Sequence, residues 1–271
     1  MKNPSLIFGT FQCNNEKEFS SMIRSVYETG IIGFDTSPSY QTEEMLGDAL
    51  TFLMKKENIK RDAFFLQDKI DGWQMELSKG NIAPFVEESL GKLKTDYLDV
   101  LFVHWPFQEY LNETWMTMNK LKEKGVIRHI GLSNVRVRHL DKIKNETGIL
   151  PDFIQIERHP LRTCQDEIDY CKGHAIVLEA YSPLCRMDER LLKSNVLKAI
   201  SEKYEKNIGQ VILRWHIDTG VVPVFMSKKK KRIEENCNLF DFSLTNEEIL
   251  EINKLNMNFK IFVESVCCPG I

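Results

Sequence analysis

Four side chains that can hold or transfer a proton follow short apolar runs in this sequence. They are Asp35, Tyr40, Lys69 and His104. Taken singly, an aspartate after a strand is commonly a helix cap, and a histidine is usually a hydrogen-bonded core residue. Lys69 is more informative, because an ammonium at the inner end of a buried strand is costly unless it is paired. Asp35 is the neighbouring carboxylate that could pair with it.

An acid, a phenol, an amine and an imidazole in one place could protonate a carbonyl oxygen. A nearby ammonium favours phenolate over phenol, so we expect Lys69 to lower the pKa of Tyr40 from about 10 toward working pH. Tyr40 would then give a proton to the carbonyl oxygen while hydride arrives at the carbonyl carbon. His104 would donate or orient a hydrogen bond to the same oxygen, and Asp35 would hold Lys69 in place.

The rest of the chain predicts the scaffold that brings these groups together. Short apolar runs rich in Val, Ile, Leu and Phe lie at residues 6–8, 31–34, 64–66, 100–103, 130–132, 153–156, 176–178 and 221–224. Amphipathic stretches such as 82–93 and 115–121 separate them, with apolar residues three and four positions apart. Runs without polar alternation suit strands buried on both faces, and helical crossovers between them give parallel pairing. The pattern predicts an α/β fold, a (β/α)8 TIM barrel.

An open doubly wound sheet is the alternative architecture. Its usual signature, G-x-G-x-x-G after the first strand, is missing, and Gly9-Thr10-Phe11 stands there instead. In a barrel, the carboxyl ends of the strands meet at one mouth, where the active site is assembled. The four proton-handling side chains are therefore expected to converge at that mouth.

The chain is predicted to form one domain. No low-complexity linker divides residues 1–271, and the barrel proper is expected at about 5–256. Few residues precede the first strand, which predicts a shortened N-terminal cap. Residues 207–219 predict a further helix, and residues 245–256 begin with the capping-box pattern Thr-Asn-Glu-Glu, which predicts an extra C-terminal helix.

Composition limits the partners that are expected. The net charge of -3 gives no general attraction to nucleic acid, and neither a secretory signal nor a long apolar run indicates a membrane. The cysteines are odd in number and irregularly spaced, which fits reduced thiols and a cytoplasmic protein. The histidines show neither a His-x-His pair nor a helical i, i+4 pair, so no metal is expected.

Several segments, in order along the chain, resemble those of the aldo-keto reductase superfamily. Residues 34–40, Phe-Asp-Thr-Ser-Pro-Ser-Tyr, resemble the family's segment with its aspartate and tyrosine. Lys69 falls where the family places its lysine, and residues 101–106, Leu-Phe-Val-His-Trp-Pro, resemble its histidine segment. The resemblance covers roughly residues 5–256. It implies a barrel enzyme that reduces an aldehyde or ketone to an alcohol, with the same four residues as its catalytic set.

The resemblance also implies a site for a nicotinamide dinucleotide. Ser133 and Asn134 resemble the pair that binds the nicotinamide carboxamide, and Gln155 matches their glutamine partner. Tyr181 resembles the tyrosine that stacks on the nicotinamide ring, and the loop after it would cover the pyrophosphate. The cofactor-binding residues predicted in this way are Thr10, Ser133, Asn134, Gln155, Tyr181, Ser182, Leu184, Ser227, Lys228, Arg232 and Asn236.

One segment departs from the family pattern around the adenosine 2'-phosphate. The family commonly shows a Lys-Ser pair, then an arginine after four intervening residues, then an asparagine after three more. This chain has Met226 in place of the lysine and keeps Ser227, Arg232 and Asn236. Lys228 and its neighbours could supply compensating charge to a phosphate, although a lysine run is commonly a solvated surface. Arg232 favours NADPH as the cofactor, and Met226 leaves NADH possible.

The substrate pocket is less well defined by the sequence. The family's C-terminal loop often shapes substrate preference, and it looks shortened here. Trp73, Trp105 and Phe107 are expected to form an apolar wall of the pocket; the alternative is that they pack beneath a lid. We expect a small-molecule carbonyl substrate and a monomeric protein. The sequence assigns no role to Cys267 and Cys268.

Two other functions are compatible with parts of the pattern. A Schiff-base lyase could use Lys69 as its nucleophile, but the cofactor set would then have no common purpose. A regulatory protein could bind the nicotinamide cofactor with little turnover, although the intact set of four residues argues against it. Borohydride trapping and NADPH oxidation would separate these alternatives from a reductase.

Overall fold

The strands of the computed structural model, which describes residues 3–13 and 15–263, close into one parallel barrel. Each strand pairs in parallel with the next, and the last pairs with the first. The strands are β1 Ile7–Gly9, β2 Gly33–Asp35, β3 Phe65–Ile70, β4 Leu98–Val103, β5 Ile127–Ser133, β6 Phe153–Glu157, β7 Val177–Tyr181 and β8 Val222–Phe225. Every apolar run singled out in the sequence overlaps one strand, so the predicted TIM barrel is confirmed.

Helices follow the strands and cover the outside of the barrel. They are α1 Glu16–Glu28, α2 Glu43–Glu57, α3 Gly72–Ser78, α4 Ala83–Leu93, α5 Leu111–Glu123, α6 Val137–Thr147, α7 Gln165–His174, α8 Glu189–Lys193, α9 Asn195–Tyr204, α10 Ile208–Asp218, α11 Lys230–Cys237 and α12 Asn246–Asn253. The extra C-terminal helix, α12, begins after Thr245, whose side chain accepts a hydrogen bond from the N–H of Glu248 as the capping-box pattern predicts. Within the part of the chain that the structure describes, no helix combines the length and apolar character needed to cross a membrane.

The inside of the barrel is built in layers. The rings of Phe65, Phe102 and Phe153 form its apolar floor, with centroids of neighbouring rings 6.2 and 6.5 Å apart. Gly131 makes room for this floor, because a Cβ at that position would lie 2.4 Å from the Phe102 ring. Since side chains alternate along a strand, the next inward position after Phe65 is Gln67. The barrel therefore changes from apolar to polar toward the carboxyl ends of its strands.

Cysteines in the described part of the chain are thiols. They are Cys13, Cys164, Cys171, Cys185 and Cys237. Burial is the main reason that the pKa of Cys13 is raised to about 11 and that of Cys171 to about 12. These two thiols are therefore protonated and unreactive near neutral pH. Cys267 and Cys268 lie outside the described residues.

Candidate active site

A buried ion pair lies at the carboxyl ends of β2 and β3. Lys69 Nζ donates to both carboxylate oxygens of Asp35, at 2.6 and 2.7 Å, and to the carbonyl oxygen of Thr36 at 3.0 Å. Burial alone would lower the pKa of Lys69, but the charges of Asp35 and Tyr40 and the hydrogen bond to Asp35 together outweigh burial, so the net shift is upward. All three ammonium hydrogens are thus committed, and the amine has no lone pair with which to attack a carbonyl. The lyase alternative gains no support from this geometry.

Tyr40 and His104 meet directly above the ion pair. Tyr40 ends a short 3-10 turn, Pro38–Tyr40, and its hydroxyl lies 3.4 Å from Nε2 of His104. Lys69 Nζ lies 5.0 Å from the centroid of the Tyr40 ring. The four side chains expected to converge are therefore within one connected cluster, because the carboxyl ends of neighbouring parallel strands lie side by side.

The prediction for the pKa of Tyr40 is wrong in direction. Burial raises the pKa of this phenol to about 12; Lys69 lowers it, and Asp35 raises it again. Burial is the main reason, and the carboxylates of Asp35 and Asp71 oppose the effect of the Lys69 ammonium on the phenol. Tyr40 therefore keeps its proton across the neutral pH range, which is the protonation state that a proton donor needs.

Asp71 is a site residue that sequence reasoning missed. Its carboxylate oxygens accept hydrogen bonds from Nδ1 of His104 at 2.6 Å and from the N–H of Ser39 at 3.1 Å. Burial alone would raise the pKa of Asp71, but the bond and charge of His104 and the bonds from Ser39 together outweigh burial and lower it. Asp71 thus connects the turn that carries Tyr40 to the His104 ring. The available signal was its position two residues after Lys69, at the same strand end.

A large cavity opens at this mouth of the barrel. Its volume is about 1100 Å³, and Asp35, Tyr40 and His104 line it, while Lys69 lies beneath them. Most of the predicted cofactor-binding residues line the same cavity. They are Ser133, Asn134, Gln155, Tyr181, Ser182, Leu184, Ser227, Arg232 and Asn236.

The predicted nicotinamide end of the cavity has a fixed set of polar groups. Gln155 directs its Nε2 inward to Asp35 Oδ2 and to Glu179 Oε2, at 2.9 Å each. Because the Asp35 carboxylate only accepts hydrogen bonds, the contact with it assigns the orientation of the amide and leaves Oε1 to accept one from a ligand. Asn134 Oδ1 accepts from the Tyr181 hydroxyl at 2.6 Å, which fixes the ring of Tyr181 beside the amide pair. Such groups fit a carboxamide and a flat ring.

The other end of the cavity has the character of a phosphate site. Ser227 and Asn236 are buried there, and exposed Arg232 lies in the first turn of α11, where backbone N–H groups and the helix dipole favour an anion. Two residues of the predicted set do not line the cavity. The Thr10 hydroxyl donates to the carbonyl oxygen of Asp35 and bonds to Thr42 instead, while Lys228 lies exposed on the surface.

The structure corrects the predicted aromatic wall of the substrate pocket. Trp105 lines the cavity, but Trp73 does not: it is about half exposed, and its ring packs on Phe85 at 5.4 Å. Phe107 also lies outside, because its ring packs over Gly72 at the start of α3. Phe11 and Phe262 line the cavity in their place, together with Trp105.

A buried carboxyl, Glu179, lies one layer below the site. Its oxygens accept hydrogen bonds from the side-chain amides of Gln67 and Gln155. Burial, and then the charge of Asp35, raise the pKa of Glu179 to about 8 despite these two bonds. A folded-state pKa above the unfolded value means that the native state holds this proton more tightly than the unfolded chain does.

We therefore predict that Glu179→Gln makes stability less sensitive to pH. The stabilisation that comes from protonated Glu179 is fully present below its unfolded pKa of about 4.3. This stabilisation is lost as the pH rises through the folded pKa of about 8. The free energies of unfolding of wild type and variant would be measured with urea at pH 5, 7 and 9. Between pH 5 and pH 9, the difference between them should shift by a few kcal/mol in favour of the variant. A constant difference across that range would contradict the assignment.

The closed barrel and the large cavity at its carboxyl-terminal mouth define the chain as a barrel protein of the enzyme type. The model of the Aldo/keto reductase family matches residues 5–257. A glyoxal reductase of Bacillus subtilis (strain 168) is 36% identical over 93% of this chain and 89% of its own length. A methylglyoxal reductase of Escherichia coli (strain K12) is 33% identical over 95% of this chain and 91% of its own.

Solved structures agree with the sequence relatives. The crystal structure of a Bombyx mori aldo-keto reductase in complex with NADP has a TM-score of 0.89 and 29% identity, covering 97% of this chain and 92% of that one. The chain belongs to the aldo/keto reductase family, whose members are NAD(P)H-dependent oxidoreductases.

Proposed function

We propose that this protein reduces an aldehyde or ketone to the alcohol with NADPH, using Tyr40 as the general acid. The observation that carries the proposal is the meeting of the Tyr40 hydroxyl and His104 Nε2, 3.4 Å apart, over the Lys69–Asp35 pair at the cavity. When bound, the reduced nicotinamide supplies the hydride. A carbonyl oxygen beside both Tyr40 and His104 would receive hydrogen bonds as negative charge develops on it.

The proton follows from the same geometry. Tyr40 donates its hydroxyl proton to the developing alkoxide, which is a stronger base than phenolate. Lys69 stabilises the phenolate left behind, because its ammonium lies 5.0 Å from the centroid of the Tyr40 ring, and Asp35 holds Lys69 in place. Ser133, Asn134, Gln155 and Tyr181 would hold the carboxamide and the ring of the cofactor, while aromatic side chains exclude water from the reacting atoms.

Small dicarbonyl compounds are the first substrates to test. Relatives that cover nearly the whole chain are named glyoxal reductase and methylglyoxal reductase. We expect the protein to act as a cytoplasmic monomer. Steady-state oxidation of NADPH with glyoxal, methylglyoxal and a panel of aldehydes and ketones tests the proposal. Tight NADPH binding without turnover of any of them would favour the regulatory alternative.

Arg232 is proposed to select NADPH over NADH. A charge-assisted hydrogen bond is worth about 1.5–3 kcal/mol, so Arg232→Ala should weaken NADPH binding by roughly 10–100-fold and NADH binding by less than about threefold. Fluorescence titration of both cofactors measures the effect. Arg24→Ala is the matched control, because Arg24 is an exposed arginine on α1 whose guanidinium lies over the Phe52 ring, 5.2 Å from its centroid, and does not line the cavity. Equal losses for NADPH and NADH in Arg232→Ala would remove Arg232 from the phosphate site.

A further inference from the structure

A buried arginine, Arg158, follows β6 directly and is 1% exposed. In the described part of the chain no carboxylate pairs with it, and its Cζ atom lies 3.7 Å from the centroid of the Trp215 ring. Burial lowers the pKa of Arg158 to about 9, so the guanidinium is still charged near neutral pH. An unpaired buried cation is costly, and a methionine would fill similar space without that cost. The presence of Arg158 therefore indicates a role beyond packing.

The guanidinium fixes the state of a buried histidine, His216 on α10. Arg158 Nη1 lies 2.7 Å from Nδ1 of His216. Its other nitrogens donate to the carbonyl oxygen of Thr163 at 2.9 Å and to the hydroxyl of Thr219 at 3.1 Å. Because a guanidinium cannot accept a hydrogen bond, Nδ1 must be the unprotonated nitrogen of the ring. Burial and the charge of Arg158 lower the pKa of His216, so the imidazole is neutral and carries its one proton on Nε2.

The proton on Nε2 faces the loop that follows β7, residues 182–187, here named the cavity loop. Nε2 of His216 donates to the carbonyl oxygen of Pro183 at 3.3 Å. Since proline has no N–H, this carbonyl is the only backbone hydrogen-bonding group of residue 183. The N–H of Arg158 also donates to the carbonyl oxygen of Tyr181 at 3.4 Å. Arg158 therefore holds the start of the cavity loop by two routes, one direct and one through His216.

The cavity loop has a backbone conformation that its own residues do not favour. Ser182, Cys185, Arg186 and Met187 all have positive φ, at 48°, 47°, 52° and 56°. L residues rarely adopt this conformation, so contacts from outside the loop must hold it. All residues of the loop except Cys185 line the cavity. A loop without its outside contacts would therefore populate other conformations, in which the predicted cofactor site is incomplete.

We propose that Arg158 and His216 are positioning residues that hold the cavity loop in the conformation that binds the dinucleotide. The inference rests on the proposed function, which assigns the cofactor to this cavity. Arg158 fixes the tautomer of the imidazole, and His216 uses the resulting N–H to hold the carbonyl of Pro183. Neither side chain lines the cavity, so each acts on the cofactor through the loop. NADPH and NADH should depend on this pair equally, because the 2'-phosphate has no part in it.

Cofactor binding tests this assignment. In His216→Phe the ring fills similar space without either hydrogen bond, so only a fraction of the molecules should hold the loop ready for the cofactor. Apparent affinity falls with that fraction, and Kd for NADPH and for NADH should each rise by about tenfold, measured by fluorescence titration. KM for NADPH should rise similarly, while kcat at saturating NADPH should stay above about a third of the wild-type value. Unchanged Kd values, or a loss for NADPH alone, would overturn the proposal.

Two further variants test the chain of hydrogen bonds. His216→Gln keeps one acceptor for Arg158 and one donor for Pro183, so it should bind NADPH within about threefold of wild type. Arg158→Met frees the imidazole to take its other tautomer, with a bare Nε2 against the carbonyl, and Kd should rise several-fold. This loss is expected although the variant no longer buries an unpaired charge. An affinity in His216→Gln as low as in His216→Phe would contradict the chain.

An arginine at the other end of the barrel provides the matched control. Arg61 has a side chain that is 14% exposed, lies before β3 and donates to Asp99 at 2.9 Å. Arg61→Met should weaken the fold but bind NADPH as wild type does, because it is far from the cavity loop. A loss of affinity equal to that of Arg158→Met would mean that Arg158 serves the fold alone.

Trypsin cleavage tests the cavity loop without reference to catalysis. Arg186 is an exposed residue of this loop, and the bond after it should be cut several-fold faster in His216→Phe than in wild type, because the loop opens more often. Mass spectrometry measures the fragment that begins at Met187. Equal cleavage rates would overturn the proposal. A wild-type protein that binds neither NADPH nor NADH would instead contradict the proposed function, and the cleavage rates keep the two failures distinguishable.

Discussion

Tyr40→Phe is expected to lower kcat by about 10²–10⁴-fold, the range that a positioned general acid contributes. The change removes only the hydroxyl that lies 3.4 Å from His104 Nε2, and the ring can keep its contact with Phe11, whose centroid is 5.1 Å away. Because the hydroxyl acts on the substrate oxygen, NADPH affinity should change by less than about twofold. Initial rates of NADPH oxidation and a fluorescence titration measure the two quantities.

A second tyrosine provides the control for this experiment. Tyr27 lies on α1 and packs on Phe64 at 5.9 Å, far from the cavity, so Tyr27→Phe should reduce methylglyoxal at the wild-type rate. Retained turnover in Tyr40→Phe would assign the acid to another group. His104 would then be the next candidate, since it is the other proton-carrying side chain at the same point.

Lys69→Met should both destabilise the fold and nearly abolish reduction. The substitution leaves the Asp35 carboxylate buried without its ammonium, and breaking a buried pair in this way costs about 3–5 kcal/mol. For a chain of this size the loss corresponds to a fall in Tm of roughly 10 °C. The pKa of Tyr40 should rise further, because Lys69 is the group that lowers it. Thermal unfolding and NADPH oxidation measure the two effects.

The double variant with Asp35→Asn and Lys69→Met separates stability from chemistry. Removing the unpaired charge of Asp35 as well should recover most of the lost Tm, because no unpaired ion is then buried. Activity should remain as low as in Lys69→Met, since no ammonium is left to stabilise the phenolate. Recovery of activity together with Tm would mean that the ion pair serves the fold alone.

The barrel could be predicted because its strands are buried on both faces. Such strands read as unbroken apolar runs, and the amphipathic stretches between them leave parallel pairing through helical crossovers as the simplest connection. The convergence of Asp35, Lys69 and His104 followed from the same topology, since each lies at or next to the carboxyl end of a strand of one barrel. Residues at strand ends are therefore the part of the site that sequence reasoning could locate.

Properties that depend on distance through space could not be predicted. The pKa of Tyr40 is decided by burial and by how closely Asp35 cancels Lys69, and neither quantity is visible in the order of residues. Trp73 follows a site strand, yet its place on α3 points it to Phe85. Phe262 is far from the barrel strands in sequence, and its segment is held at the cavity by hydrogen bonds to Leu161 and to the Glu157 carboxylate. Asp71 resembled an ordinary residue at a helix start.

Transfer of deuterium from labelled cofactor tests the central claim most directly. NADPH carrying deuterium at both positions of nicotinamide C4 would be incubated with the protein and methylglyoxal, and the alcohol product analysed by mass spectrometry. Hydride delivery to a carbonyl held at Tyr40 and His104 predicts one deuterium on the former carbonyl carbon of each product molecule. Alcohol without deuterium, or no alcohol while NADPH stays tightly bound, would contradict the account.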